Sequence, residues 1–270
     1  MDTNMQPSAD VMIRAIKRSI LEVNTTGCDV VETLDHATAF VSARRPRVYD
    51  ANFAGDVRLE GGTSAEQVWQ EVTAFFAAHD SRCRVWHARD PVFPPDLAEL
   101  LTARGGQRQT QVVLRLRDYR APSKLRDDLQ IVNARAVRSE YREFRFLQNS
   151  AKYGREVGED LADFGLDALD EPRLDMMVAR IPSIDSSVVA AAGLVALGEI
   201  GVLWDVETRD DMKRKGIMTT LLDRIMELAR RSRFLHVLLD TPHDNEAAIA
   251  LYESLGFETV GSFDHFFMPD

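Results

Sequence analysis

Three cations and a glycine stand in a row at Lys213, Arg214, Lys215 and Gly216, between an apolar run, EIGVLWDVET from Glu199, and an apolar-periodic run, TTLLDRIMELARR, ending at Arg231. If the first run is a strand and the second a helix, this turn is a device for holding phosphate. The first NH groups of a helix lack carbonyl partners, its dipole adds partial positive charge, and three side chains add full charges. Gly216 lets the backbone approach a bulky anion where a Cβ would obstruct it. Taken alone, the same residues also read as a solvated basic turn that precedes a helix.

The elements that position this turn are legible around it. FLHVLLD, Phe234 to Asp240, is a continuously apolar strand that must be buried on both faces. NEAAIALYESLGF follows as a helix capped by Asp244 or Asn245 and ended by Gly256, and ETVGSFDHFFM closes the chain as one or two strands. Upstream, LQIVNARA is a strand, SEYREFRFLQNSAK and EDLADFGLDAL are helices, and LDMMVARI and SVVAAAGLVAL are strands joined by PSIDS. RAPSKLRDD, Arg120 to Asp128, is polar, contains Pro122 and reads as an inter-domain linker.

The first half opens on an amphipathic helix from about Ser8 to Val23, whose charges break the apolar run and so exclude a signal peptide. Strand-like segments near His36 to Ala43 and Asn52 to Gly61 follow, then a helix capped by Thr63 or Ser64 that carries Trp69 as a core residue. A strand at Arg82 to Ala88, a proline-opened helix closed by Gly105 and Gly106, and the alternating strand TQVVLRLRDY complete it. His36 beside its strand reads as an ordinary structural histidine. The order helix, strand, helix, glycine, strand thus occurs twice, at a spacing of about 40 residues between helical start and closing glycine, as in a duplicated unit. The division is residues 1–119 as a degenerate or helper copy, 120–128 as linker and 129–270 as the second domain. LEGGTSAEQ in the first copy has glycines without basic residues, so that copy lacks the equipment for pyrophosphate.

Composition bounds the rest. At 270 residues, 45% hydrophobic and 28% charged, the chain has material for two packed cores. A net charge of -10 argues against a general nucleic-acid binder. No apolar run reaches the ~20 residues that span a membrane. Cys28 and Cys83 stand far apart without metal-ligand spacing, which suits reduced thiols in a cytoplasmic protein.

Residues 129 to 270 resemble the GCN5-related N-acetyltransferases, the GNAT superfamily. VETRDDMKRKGIMTTLL looks like that family's strand, turn and acyl-CoA pyrophosphate loop, and DNEAAIALYESLGF like its later helix, in the family's order and separation. The resemblance implies a mixed α/β fold of GNAT type, two such domains in tandem if the first half is a duplicate, and acetyl-CoA as co-substrate. The family's loop is Arg or Gln, two residues, Gly, one residue, then Gly or Ala; Lys213, Gly216 and Met218 occupy those places. Lys213 keeps the charge and loses the planar fork, and Met218 replaces a small residue.

On that resemblance the NH groups of Arg214, Lys215, Gly216, Ile217 and Met218 cradle the pyrophosphate. Val206, Glu207 and Thr208 line the pantetheine arm, and Asn245 contacts it. Tyr252 is the general acid that protonates the departing thiolate. Attack by an amine also needs a proton acceptor. Asp205 and Glu207 alternate with Trp204 and Val206, so the carboxylates share one face; Asp205, Glu207 and Glu199 are the candidate bases, with Asp240, His243 or a water chain as further possibilities. The family's own glutamate position falls on Val202, and Trp204 walls the acceptor site or joins the core. The expected activity is acetyl transfer from acetyl-CoA to a primary amine, on a small molecule or peptide, by a monomer or homodimer without a metal. A module that holds acyl-CoA without turnover is the alternative.

Overall fold

A computed structural model of the chain describes residues 7–183 and 187–269. In chain order the elements are α1 (Ala9–Asn24), β1 (Val30–Thr33), β2 (Thr38–Val41), β3 (Phe53–Val57), α2 (Ala65–Ala78), β4 (Val85–Ala88), α3 (Pro95–Ala103) and β5 (Gln107–Leu116). There follow β6 (Gln130–Asn133), α4 (Arg138–Tyr153), α5 (Arg155–Ala168), β7 (Leu174–Arg180), β8 (Val188–Leu197), β9 (Ile200–Thr208), α6 (Ile217–Arg231), β10 (His236–Pro242), α7 (Glu246–Ser254) and β11 (Phe257–Phe267). The architecture is the mixed α/β one expected. Of the PSIDS connection, residues 184–186 lie outside the described residues, as do residues 1–6 of the N-terminal segment.

The chain divides into two units, and the division is not a single cut. One holds Met1–Leu114, Asp240–Asn245 and Thr259–Asp270; the other holds Arg115–Leu239 and Glu246–Glu258. Arg120 to Asp128, read from sequence as a linker, falls inside the second unit.

In the first unit the strands run β1-β2-β3-β4-β11-β5. β1, β2 and β3 pair antiparallel, β3 and β4 parallel, and β11 lies antiparallel to β4 with His265 opposite His87. The strand that ends the chain therefore completes the unit that begins it. Local signals account for the helices: Ser8 accepts from the Val11 NH, Ser64 and Gln67 form a reciprocal capping box, and Gly105 ends α3 at φ 87°. Trp69 is partly buried and stacks on the fully buried Trp86 at 5.5 Å, packing against the core. Cys28 and Cys83 are free, and burial pushes the Cys28 thiol up to about 12 and raises that of Cys83 as well, so neither is a ready nucleophile.

The paired histidines carry a prediction. Their rings lie 5.2 Å apart, each with a buried and unpartnered Nδ1, while His265 Nε2 meets Gln109 Oε1 at 3.0 Å. Burial holds His265 down to about 4 and His87 well below the ordinary imidazole range; Lys17 adds to this at both, and Asp264 opposes it at His265. Unfolded imidazoles take up protons near pH 6.5, whereas these stay neutral when folded. The unfolded state thus binds more protons in that interval, and stability is lost as pH falls from about 6.5 toward 4 while being fully present above. His265 alone accounts for about 3 kcal/mol over that window. Urea midpoints measured across it should fall with pH, and His265→Gln should flatten the slope; an unchanged slope in the variant would locate the dependence elsewhere.

In the second unit the strands run β10-β9-β8-β7-β6, with β6 to β9 antiparallel and β9 parallel to β10. The antiparallel-then-parallel sequence of β2, β3 and β4 recurs in β8, β9 and β10, with α2 and α6 as the crossover helices, so the repeat inferred from glycine spacing is architectural. α4 and α5 are separated only by Gly154 at φ 85°, and they cross where a Cβ on Gly158 would meet Ser150 Oγ at 2.1 Å. Val237, Leu238 and Leu239 of β10 are buried, as the continuous apolar run demanded. No helix among the described residues is long and apolar enough to cross a membrane.

Candidate active site

β9 does not keep strict alternation. Its register with β8 passes from Glu207 opposite Ala191 to Trp204 opposite Gly193, and Asp205 sits at φ 47°. Asp205 and Val206 thus share one partner, the signature of a β-bulge, in which one residue leaves the ladder. Aspartate tolerates the left-handed conformation better than most residues. Gly193 makes room opposite, since a Cβ there would lie 2.8 Å from Leu174 and 3.3 Å from Trp204.

The two carboxylates converge on a partner that the strand pattern did not reveal. Arg145 of α4 donates through one terminal nitrogen to Asp205 Oδ2 at 2.6 Å and to Glu207 Oε2 at 3.2 Å. Burial raises the Glu207 carboxyl; Arg145 pulls it back, Asp205 pushes it further up, and a hydrogen bond from Gln148 and the charge of Lys213 lower it. A desolvated carboxylate on a weak ion pair is a better proton acceptor than a solvated one.

Beyond Thr208 the chain turns through Asp210–Met212 into the basic loop. Arg214 takes φ 59° and Gly216 φ 74°, and Gly216 is the N-cap of α6, with no side chain bonded to the helix's first NH groups and no acidic residue in its first turn. Lys213 pairs with Asp210 at 2.5 Å, and among the described residues Lys215 Nζ reaches the Met212 sulfur at 3.7 Å. Ile217 and Leu221 are buried and anchor the helix. One residue that sequence reading assigned to a linker lies against this loop: Arg126 donates to the Lys215 carbonyl at 3.2 Å, and its backbone NH to Thr220 Oγ1 at 3.1 Å.

Tyr252 is buried on α7 with its ring edge-on to Phe257 at 5.9 Å. The end of α7 is held by residues 117 to 120: the Arg117 and Arg120 NH groups donate to the Gly256 and Leu255 carbonyls, and a Cβ on Gly256 would collide with the Asp118 carbonyl at 1.9 Å. Glu199 is not brought to the carboxylate pair. It occupies the exposed β8–β9 turn, at the opposite end of β9 from Glu207 and ~26 Å along it at the usual rise. Asp240, His243 and Asn245 fall among the residues that group with the first unit. Burial raises the Asp240 carboxyl to about 6, His243 is exposed, and Asn245 donates to Thr241 Oγ1 at 3.3 Å and to the Pro242 carbonyl at 3.0 Å. Val202 is fully buried.

Residues 136–257 match the sequence profile of the Acetyltransferase (GNAT) family. This stretch, just under half of the chain, is similar to a GNAT domain. No curated protein sequence matches the chain. Among solved structures, a GCN5-related N-acetyltransferase from Kribbella flavida is similar with a TM-score of 0.61 at 14% identity, over 95% of each chain. A tandem GNAT protein from the clavulanic acid biosynthesis pathway is similar at a TM-score of 0.53 and 13% identity, over 81% of this chain and 76% of that one. A functionally unknown conserved protein from Staphylococcus epidermidis gives a TM-score of 0.61 at 13% identity, over 88% of this chain and 93% of that one. At these identities the likeness is one of fold, and it extends across both halves. The GNAT fold supports acyl transfer from acetyl-CoA in general.

Proposed function

We propose that the chain is an acetyl-CoA-dependent N-acetyltransferase acting on a primary amine, with chemistry confined to the GNAT domain of the second half. The observation that carries this reading is the continuity of one segment: a bulged strand bearing a desolvated carboxylate leads directly into a left-handed glycine loop at a bare helix N-terminus. The fit to a pyrophosphate rests on three features. Gly216 has open space on its Cβ side, with only Arg126 Cγ at 4.0 Å; the first turn of α6 has no acid; and no side chain caps it. Arg214 through Met218 would hold the pyrophosphate, and Val206 to Thr208 the pantetheine arm. When bound, acetyl-CoA supplies an acetyl thioester whose carbonyl is the electrophile.

The protein's own groups then do the following. Backbone NH groups of β9 would polarise the reacting carbonyl. Glu207 accepts the proton that the acceptor ammonium must lose before its nitrogen can attack. Arg145 holds Glu207 and Asp205 in place, with Asp205 the more tightly engaged of the two and so the poorer base. As the carbon–sulfur bond breaks, the Tyr252 hydroxyl gives its proton to the thiolate. The first unit reads as a degenerate copy. Its glycines at 61 and 62 have positive φ, but Ser64 caps α2 with its own side chain and Glu66 stands in the first turn, so the anion cradle is closed.

Tyr252→Phe tests the assignment. With folding verified by circular dichroism, kcat should fall by about 10²-fold at unchanged acetyl-CoA affinity; unchanged turnover would remove the acid role. A second reading, a module that binds acyl-CoA without turnover, is favoured by Arg145 engaging both carboxylates at once.

A further inference from the structure

The second unit holds a cavity of about 310 Å³ between α4, the end of β7 and the start of β8, at the low end of the size range for small-ligand sites. Arg180 lines it. The Arg180 side chain is only 18% exposed, yet its five donors make no hydrogen bond to any described residue; its Nε is wholly enclosed, and its one charge contact, Glu140, is 3.9 Å away. A guanidinium that has given up this much water ordinarily has a hydrogen-bonded anion in return. Across the cavity, on α4, Glu143 has no ion pair with any described residue, and Glu140 is too far from Arg180 to be satisfied by it. Between the charges the lining is apolar: Phe144, Val188 and Leu147, the last 52% exposed at this opening.

We propose that this cavity binds a free apolar α-amino acid, with the carboxylate on Arg180, the ammonium on Glu140 and Glu143, and the side chain against Phe144, Leu147 and Val188. An alkylamine leaves Arg180 without a hydrogen-bonded anion, and a peptide N-terminus carries no carboxylate next to its amine; the zwitterion answers both charges. Bidentate pairing of a carboxylate is what a guanidinium fork is built for. Arg209, at the cavity edge, is occupied by Ser187 at 3.0 Å and by Asp211 at 2.7 Å, so it serves as wall. It follows Glu207 by two residues, ~7 Å along the strand, and α4 supplies both the cavity's carboxylates and the arginine that holds Glu207. The bound amine is thereby assigned as the acetyl acceptor, a statement that rests on the N-acetyltransferase reading above.

The test is calorimetric titration of the full chain, without acetyl-CoA, using L-leucine, L-leucinamide and 4-methylpentanoate as probes. Leucine should bind at least about tenfold more tightly than either analogue, since each lacks one charged hydrogen-bonding group. Glu143→Gln, a change at an exposed position, should weaken leucine and spare 4-methylpentanoate; Arg180→Leu, checked for folding, should abolish the preference for leucine over leucinamide. Equal binding of leucine and leucinamide, no leucine binding at millimolar concentration, or an Arg180→Leu variant impaired for CoA and not for leucine would each overturn the proposal. Leucine binding without acetylation of any amine would keep the cavity and sink the transferase reading, whereas thiol release with other amines and no leucine binding would do the reverse.

Discussion

Glu207→Gln is expected to lower kcat/KM for amine acetylation by about 10²–10³-fold while leaving acetyl-CoA affinity unchanged. Glutamine keeps the length and one acceptor oxygen for Arg145, so the ion-pair network loses a charge without losing its shape. The pH profile separates base chemistry from simple disruption. Burial and Asp205 raise the Glu207 carboxyl above the ordinary range, against the pull of Arg145. A base works only when deprotonated, so the native rate should climb with pH through that raised value and then level. The variant should lack this limb and recover part of its activity at alkaline pH, where more of the substrate amine is already neutral. A variant within twofold of native across the profile would leave Glu207 without a catalytic task.

Gly216→Val is the second large effect, and it acts through the backbone. The position has φ 74° and ψ 5°, in the left-handed region that costs a non-glycine residue about 1–2 kcal/mol and a β-branched one more. Steric collision is not the cause, since the Cβ would meet nothing closer than Arg126 Cγ at 4.0 Å. The loop must either carry the strain or turn to negative φ, and in turning it re-aims the NH groups that begin α6. Acetyl-CoA affinity should fall by about tenfold or more, with unfolding stability reduced by no more than the strain itself. Arg214, at φ 59° two residues earlier, already bears such strain, so the loop has little tolerance for a second instance. Unaltered affinity would place the pyrophosphate away from this turn.

The helix at Ile217 and the turn before it were legible because their signals are local. Apolar spacing marks the face that Ile217, Leu221 and Ile225 bury, and a glycine after three cations marks the left-handed cap. The buried β10 and a helix cap at Thr63 or Ser64 followed in the same way; the structure puts the cap at Ser64. What stayed hidden depends on partners distant in the chain. Arg145 meets Asp205 across 60 residues, and nothing in an amphipathic helix says which of its arginines faces a strand. The bulge escaped because Asp205 breaks alternation through one backbone angle and no change of residue pattern. Arg126 sat in a polar, proline-containing stretch that reads as a tether, although its hydrogen bonds to Lys215 and Thr220 tie it to the loop. β1 was missed because three of its four residues are exposed, leaving no periodicity to detect. β11 was seen as a strand, but its alternation is the same whichever unit it completes.

The most direct measurement combines acetyl-CoA calorimetry with a thiol-release assay on the same preparation, run across a panel of primary amines that includes free amino acids. The account predicts acetyl-CoA binding that Gly216→Val weakens, and thiol release that appears with at least one amine, matches amide formation mole for mole, and falls in Glu207→Gln and Tyr252→Phe. Binding of acetyl-CoA with no thiol release on any amine would contradict it and identify the GNAT domain as an acyl-CoA-holding module.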